Sequence, residues 1–170
     1  MKKEILKNKT VGFTLIELLI VIGIIAVLAA FAFVALNPLA RFQDSRNAKR
    51  WTDVNTILAA VKLHQVDNKG AYLDDITALE AGSYYQIGAG ESNIACDNPE
   101  YLIEPNCISL EPLVTAGYLA SVPFDPNATG ASATNSHYFL MRDSRGFITV
   151  GACDEELGSN TAIPEISVTK

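Results

Sequence analysis

Residues 13–36, FTLIELLIVIGIIAVLAAFAFVAL, limit what this chain can become more than any other stretch. These 24 residues contain one charged side chain, Glu17. As a helix rising about 1.5 Å per residue they extend about 36 Å, enough to cross the apolar core of a bilayer with some tilt. Residues 1–12 are short and basic, with Lys2, Lys3, Lys7 and Lys9 against Glu4. A secretory signal has an apolar run of about 7–15 residues and then a small-residue cleavage site. This run is longer, and its nearest small pair, Ala29-Ala30, is followed by more apolar sequence. A single-pass anchor fits better, with the lysines holding the N-terminus in the cytoplasm.

Glu17 does not suit a plain anchor. A carboxylate inside an apolar helix costs about 2.5–3.5 kcal/mol on insertion scales, so such a residue points to function. The competing reading is that Glu17 is protonated or reaches the headgroups.

Gly12-Phe13-Thr14-Leu15-Ile16-Glu17, at the junction of a basic leader and a long apolar helix, resembles the class III signal of type IV prepilins and type II secretion pseudopilins. The resemblance implies that a membrane-embedded peptidase cuts between Gly12 and Phe13 and that Phe13 is then N-methylated. It places Glu17 at the fifth position of the mature chain. A glycine leaves no side chain to obstruct a protease at the membrane surface. Cleavage there removes the lysines and leaves the apolar helix. In a bundle of such helices Glu17 of one copy can meet the Phe13 amine of another, which makes Glu17 a candidate register residue.

The leader holds four of the 13 basic residues and one of the 19 acidic ones, so the trimmed chain carries 9 and 18, an acidic balance. That balance argues against nucleic acid as a primary ligand. The length suits the anchor plus one domain, giving a leader (1–12), an apolar membrane or filament-core helix (13–36) and a globular domain (37–170). Positive-inside orientation puts Cys96, Cys107 and Cys153 on the outer side, where disulfides persist. The turn-rich sequence between Cys96 and Cys107 favours that pair over one with Cys153, with connectivity open on spacing alone. No metal is expected, because the cysteines lack C-x-x-C spacing and His64 and His137 are isolated.

Asn37-Pro38 interrupts the apolar run. Helical periodicity resumes near Leu39, with Ala48, Trp51, Val54 or Asn55, Leu58 and Val61 on one face, and Asn68-Lys69-Gly70 is a stop signal. Arg41, Asp44, Arg46, Lys49, Arg50, Asp53 and Lys62 are expected on the other faces. Residues 71–106 read as an irregular excursion with a short helix near 76–81. A second short helix is expected over 109–116. The segment GYLASVPFDP, residues 117–126, also resembles the Gly-Tyr-Leu…Pro-x-Asp-Pro stretch of bacterial pilins and major pseudopilins. Residues 136–142 and 147–153 flank Asp143-Ser144-Arg145-Gly146 as an antiparallel hairpin, with a further strand near 163–169. The expected fold is α+β: a long N-terminal helix, half transmembrane and half amphipathic, on a small antiparallel β-sheet, as in pilins.

No phosphate loop, G-x-S-x-G or H-E-x-x-H motif is present, so no enzyme and no cofactor is expected. Asp74-Asp75 and Glu155-Glu156 read as solvated charge. Asp125, Asp143 and Asp154 have no calcium-ligand spacing, although pseudopilins can bind calcium. The resemblance implies a subunit of an extracellular type IV pilus for adhesion, motility or uptake. Its partners would be other copies of itself, the prepilin peptidase and methyltransferase, the inner-membrane assembly machinery and, before assembly, membrane lipid. The alternatives are a pseudopilin of a type II secretion system and a membrane-tethered binding module that does not polymerise.

Overall fold

The computed structural model describes residues 12–90, 92 and 94–170. The leader therefore lies outside the described residues except for Gly12. The chain divides into two compact units, one ending at Pro38 and the other spanning Leu39–Lys170.

The first unit contains helix α1, Leu15–Leu36. Thr14 is its N-cap, in extended conformation, and no residue of α1 is buried. The helix is long and apolar enough to cross a membrane. It ends at Asn37, whose backbone is left-handed with φ 38°. Pro38 then opens helix α2, Pro38–Asp67. Proline suits a first helical position because the donor it lacks would be unpaired there in any case. The chain leaves α2 through Lys69 (φ 59°) and Gly70 (φ 95°), and Gly70 N donates to Gln65 O at 2.7 Å. This is the stop expected from Asn68-Lys69-Gly70.

The second unit is a five-stranded sheet with α2 on one face. Its strands are β1 (Tyr84–Gly88), β2 (Ile103–Ile108), β3 (Asn135–Arg142), β4 (Ile148–Ala152) and β5 (Ser167–Thr169), in spatial order β2-β1-β3-β4-β5. Short helices α3 (Asp74–Thr77) and α4 (Glu111–Thr115) lie in the connections. The expected hairpin is β3–β4, turning through Gly146 (φ 90°), with Asp143 Oδ1 accepting from Arg145 N and Phe147 N at 2.8 Å each.

The sheet is mixed rather than wholly antiparallel, because β1 and β2 pair in parallel. Both strands come from the stretch expected to be irregular. Parallel neighbours cannot be joined by a tight turn, so residues 89–102 must travel back along the sheet. Ile94, Cys96 and Tyr101 of this stretch lie over the face opposite α2. Leu140 and Tyr138 of β3 face the core formed with Val54, Ile57, Leu58 and Val61 of α2. Phe139, pointing the other way, packs with Tyr101, Ile94 and Cys96 of the crossover and with Tyr84, Ile103 and Cys153. The Phe139 ring also explains Gly151 on β4: a Cβ there would lie 2.7 Å from Phe139 Cε1. Both sheet faces are thus covered, one by a helix and one by a loop.

The buried face of α2 is rotated from the one periodicity suggested. Trp51 is 40% exposed, whereas Arg50 and Asp53, expected in solvent, are 0% and 3% exposed. Arg50 is in phase with Val54, Ile57 and Val61 at helical spacing, so it enters the core side with them.

Candidate functional site

The N-terminal signal is built on the start of α1. Gly12, Phe13 and Thr14 precede the helix in non-helical backbone, and Phe13 is 88% exposed. Thr14 and Glu17 form a reciprocal capping box. Glu17 N donates to Thr14 Oγ1 at 3.3 Å, and Thr14 N and Oγ1 each donate to Glu17 Oε2 at 2.8 Å. The pattern satisfies backbone donors that a helix start otherwise leaves open and marks where the helix begins. Two consequences follow. The Gly12–Phe13 peptide lies outside the helix although a strongly helix-forming run begins two residues later. The Glu17 carboxylate is folded back toward the Phe13 end of α1 rather than projecting sideways.

A family model described as the prokaryotic N-terminal methylation motif matches residues 11–33, spanning this junction and most of α1. The chain carries the type IV pilin and pseudopilin signature. Neither the comparison with curated proteins nor the comparison with solved structures returns a match. The family that bears this signature is structural rather than enzymatic.

In the pilin-like domain the structure corrects the cysteine pairing. Cys96 bonds to Cys153, with Cα atoms 4.2 Å apart, and Cys107 is free and half-buried. The parallel strand order gives the reason. Cys107 N donates to Gly90 O, which places Cys107 near the end of β1, where the crossover begins. Cys96 lies further along the crossover, after it has passed over Phe139 to the end of β4, where Asp97 N donates to Cys153 O at 2.9 Å. Proximity in sequence therefore misleads. The bond closes a loop with a sequence separation of 57 residues. Replacing Cys153 with Ser is expected to lower stability by about 2–4 kcal/mol. Cys107→Ser should change it by less than about 0.5 kcal/mol. Urea denaturation of the two variants beside the parent checks both values, and equal losses would reverse the assignment.

A buried polar cluster, which the sequence reading placed in solvent, ties α2 to two loops. Arg50 Nε donates to Asp125 Oδ2 at 2.6 Å and Nη2 to Asp125 Oδ1 at 3.0 Å, with side chains 1% and 0% exposed. Arg50 Nη1 donates to Asn47 Oδ1 at 2.8 Å and to Glu156 Oε2 at 2.9 Å. Arg46 Nε reaches the same Glu156 Oε2 at 2.6 Å. Asp125 Oδ1 also accepts from Asn127 N and Ala128 N at 2.8 Å each, fixing the turn after the two prolines. Asp53, nearby on α2, accepts from Tyr138 Oη at 3.0 Å and pairs with Lys49. Asp125 is thus a structural anchor. The sequence signal that was available is Arg50 lying in register with apolar residues.

Glu155 and Glu156 are not solvated charge, and they shift in opposite directions. Glu155 is 6% exposed, and burial pushes its carboxyl above the usual 4.5, although Oε1 accepts from Ile166 N at 3.1 Å. Hydrogen bonds from Arg46 and then Arg50 hold Glu156 below that value. A raised carboxyl pKa means that ionisation opposes folding. This cost is absent below the unfolded-state value and fully present above the folded-state value. For Glu156 the stabilisation is present above the unfolded value and disappears as pH falls through the folded one. Glu155→Gln is therefore expected to raise the melting temperature at neutral pH and leave it unchanged well below 4.5. A drop at neutral pH would contradict this account. Asp97, Glu155 and Glu165 line one cleft, and among the described residues no group of three or more His, Cys, Asp or Glu is placed to hold a metal ion.

Proposed function

We propose that this chain is a structural subunit of a type IV pilus. It is made as a single-pass membrane precursor with a cytoplasmic leader, cut after Gly12 and N-methylated on Phe13. Copies then polymerise into an extracellular filament. The observation that carries this reading is the methylation motif over residues 11–33 running into a 22-residue apolar helix of which no residue is buried. Such a surface calls for lipid first and for other apolar helices afterwards. A head-to-tail contact that does not close gives an open filament. Glu17 serves as the register residue, meeting the Phe13 amine of a neighbouring copy. The partners are other copies, the prepilin peptidase and methyltransferase, and the membrane assembly machinery.

Intact-mass and N-terminal peptide mass spectrometry on sheared surface filaments tests the proposal. A mature chain beginning at Phe13 with one added methyl, in abundant extracellular fibres, is the expected result. The same processed chain confined to the membrane fraction would make it a pseudopilin instead. An intact Met1 would point to a tethered module that does not polymerise.

A further inference from the structure

Positive charge is unevenly spread over the globular domain. Residues 71–141 contain no Lys or Arg. Arg142, the next cation along, is engaged by its own chain, donating from Nη2 to Leu79 O at 2.9 Å and to Thr77 O at 3.2 Å. After it come only Arg145, in the β3–β4 turn, and Lys170. Ile148 and Lys170 exchange backbone hydrogen bonds at 2.8 and 2.9 Å, so both residues lie at the turn end of β4. The Arg145 side chain is 77% exposed, and its guanidinium lies 5.1 Å from the centre of the half-exposed Phe147 ring. Its ionic partner is Asp143, at 3.0 Å. Water screens an exposed pair of this kind, so it is readily exchanged for another. The turn therefore presents a guanidinium backed by an aromatic ring.

The other end of β4 carries the opposite charge. A cleft there is lined by Asp97, Glu155 and Glu165 together with Pro99, Ile163 and Pro164. It lies past Ala152 because Asp97 N donates to Cys153 O and Ala152 N to Ile166 O, at 2.9 Å each. Among the described residues no Lys, Arg or His pairs with any of the three carboxylates. Glu155 is the telling one: it is 6% exposed on the cleft wall, accepts from Ile166 N, and has no cation bonded to it. A buried carboxylate in that position calls for a counter-charge. The three acids are not grouped to hold a metal ion. Acid walls beside apolar ones suit a guanidinium instead, with its apolar stem and its donors in a fixed fork.

We propose that this cleft receives the Arg145–Phe147 turn of a second copy of the chain. The inference rests on the filament reading and names a contact between globular domains. Charge selects the occupant: Arg46, Lys49 and Arg50 are engaged inside the domain, whereas Arg145 is exposed and carried on an aromatic ring. Within one chain the turn and the cleft stand at opposite ends of β4, whose five residues extend about 17 Å at 3.4 Å each. Arg145 is also held on its own turn by Asp143, so a chain does not fill its own cleft. Because the two surfaces differ and lie at opposite ends, every copy offers both. Such a contact repeats head to tail and gives an open chain of subunits.

The test uses the full-length chain in its native cell. Arg145→Glu sets like charges against each other across the contact, and sheared surface filaments should fall by roughly tenfold or more. Asp97→Arg alone should lose filaments too. Combining the two should return most of the parental yield, because the exchanged charges attract again. Processing at Phe13 and protease resistance of the extracted chain should match the parent in all three variants, since Arg145 and Asp97 are both exposed. A cross-link supplies a second readout that leaves Arg145 in place. In a Cys107→Ser background, the pair Ser144→Cys and Ile163→Cys should give an oxidation-dependent ladder of copies from purified filaments that neither single variant gives. Parental yield from Arg145→Glu, a double variant no better than the single ones, or no ladder would overturn the proposal and leave the filament reading standing. A parent chain that forms no filaments at all overturns the filament reading, and this inference with it.

Discussion

Glu17→Ala is expected to abolish filaments while leaving the chain membrane-held, the largest functional effect of any single substitution. In α1 the carboxylate is folded back onto Thr14, whose N and Oγ1 both donate to Oε2. Glu17 therefore has two possible duties, closing the helix start and carrying charge to an amine on another copy. Substitutions separate them. Glu17→Gln keeps an acceptor for Thr14 N but carries no charge. Thr14→Val removes the hydroxyl of the cap, worth about 0.5–2 kcal/mol, and keeps the charge. Because α1 has 22 residues of strongly apolar sequence, loss of the cap alone should not unfold it. If Glu17 acts through charge, the Ala and Gln variants lose filaments together and Thr14→Val keeps them. Immunoblots of sheared and membrane fractions read the outcome. Parental filament yield from Glu17→Gln would show that the cap is what matters and would end the register reading.

Arg50→Ala should produce the largest loss of stability, about 3–5 kcal/mol, the cost typical of removing one partner from a buried ion pair. Most of that loss is not the value of the pair itself. Burial alone would pull the Arg50 pKa down, yet the hydrogen bonds it donates to Asp125 and Glu156 hold it up, so the guanidinium stays charged. Without it, the Asp125 carboxylate, 0% exposed on its side chain, loses the cation that donates to it. The two backbone bonds from Asn127 and Ala128 offset only part of that burial. The structural consequence reaches further than one contact. Arg50 connects α2 to the 122–128 segment through Asp125 and to the loop after β4 through Glu156; Arg46 and Asn47 still hold Glu156, so the 122–128 segment loses the most. Trp51, the sole tryptophan, sits one residue away and gives a fluorescence signal for urea denaturation. A loss below about 1 kcal/mol, the scale of an exposed pair, would mean the cluster is solvated and the account wrong.

These two cases show which kinds of information a chain carries locally. The basic stretch 1–12, the Gly12–Phe13 junction and the apolar run declare themselves because the pattern depends on order along the sequence: basic, then glycine, then hydrocarbon with a single charge at Glu17. The break at Asn37-Pro38, the stop at Lys69-Gly70 and the β3–β4 turn were legible for the same reason, since each rests on the backbone preferences of a few adjacent residues. Long-range partners are a different matter. Arg50 and Asp125 are 75 positions apart, and Cys96 and Cys153 are separated by 57. Nothing near Asp125 identifies its cation, and the nearest cysteine to Cys96 in sequence is the wrong one.

By itself, then, the sequence determined that this chain carries the pilin-type N-terminal methylation motif on an apolar helix long enough to cross a membrane, with a break at Asn37-Pro38 and an antiparallel hairpin beyond it. Tertiary structure alone decided which face of α2 is buried, that β1 and β2 run parallel, and which cysteine closes the crossover. The physical reason lies in how each is set. A capping box or a turn is stabilised by neighbours a few residues away. A parallel strand pair, a buried ion pair and a cross-sheet disulfide exist only once distant segments have been brought together by the burial of both sheet faces.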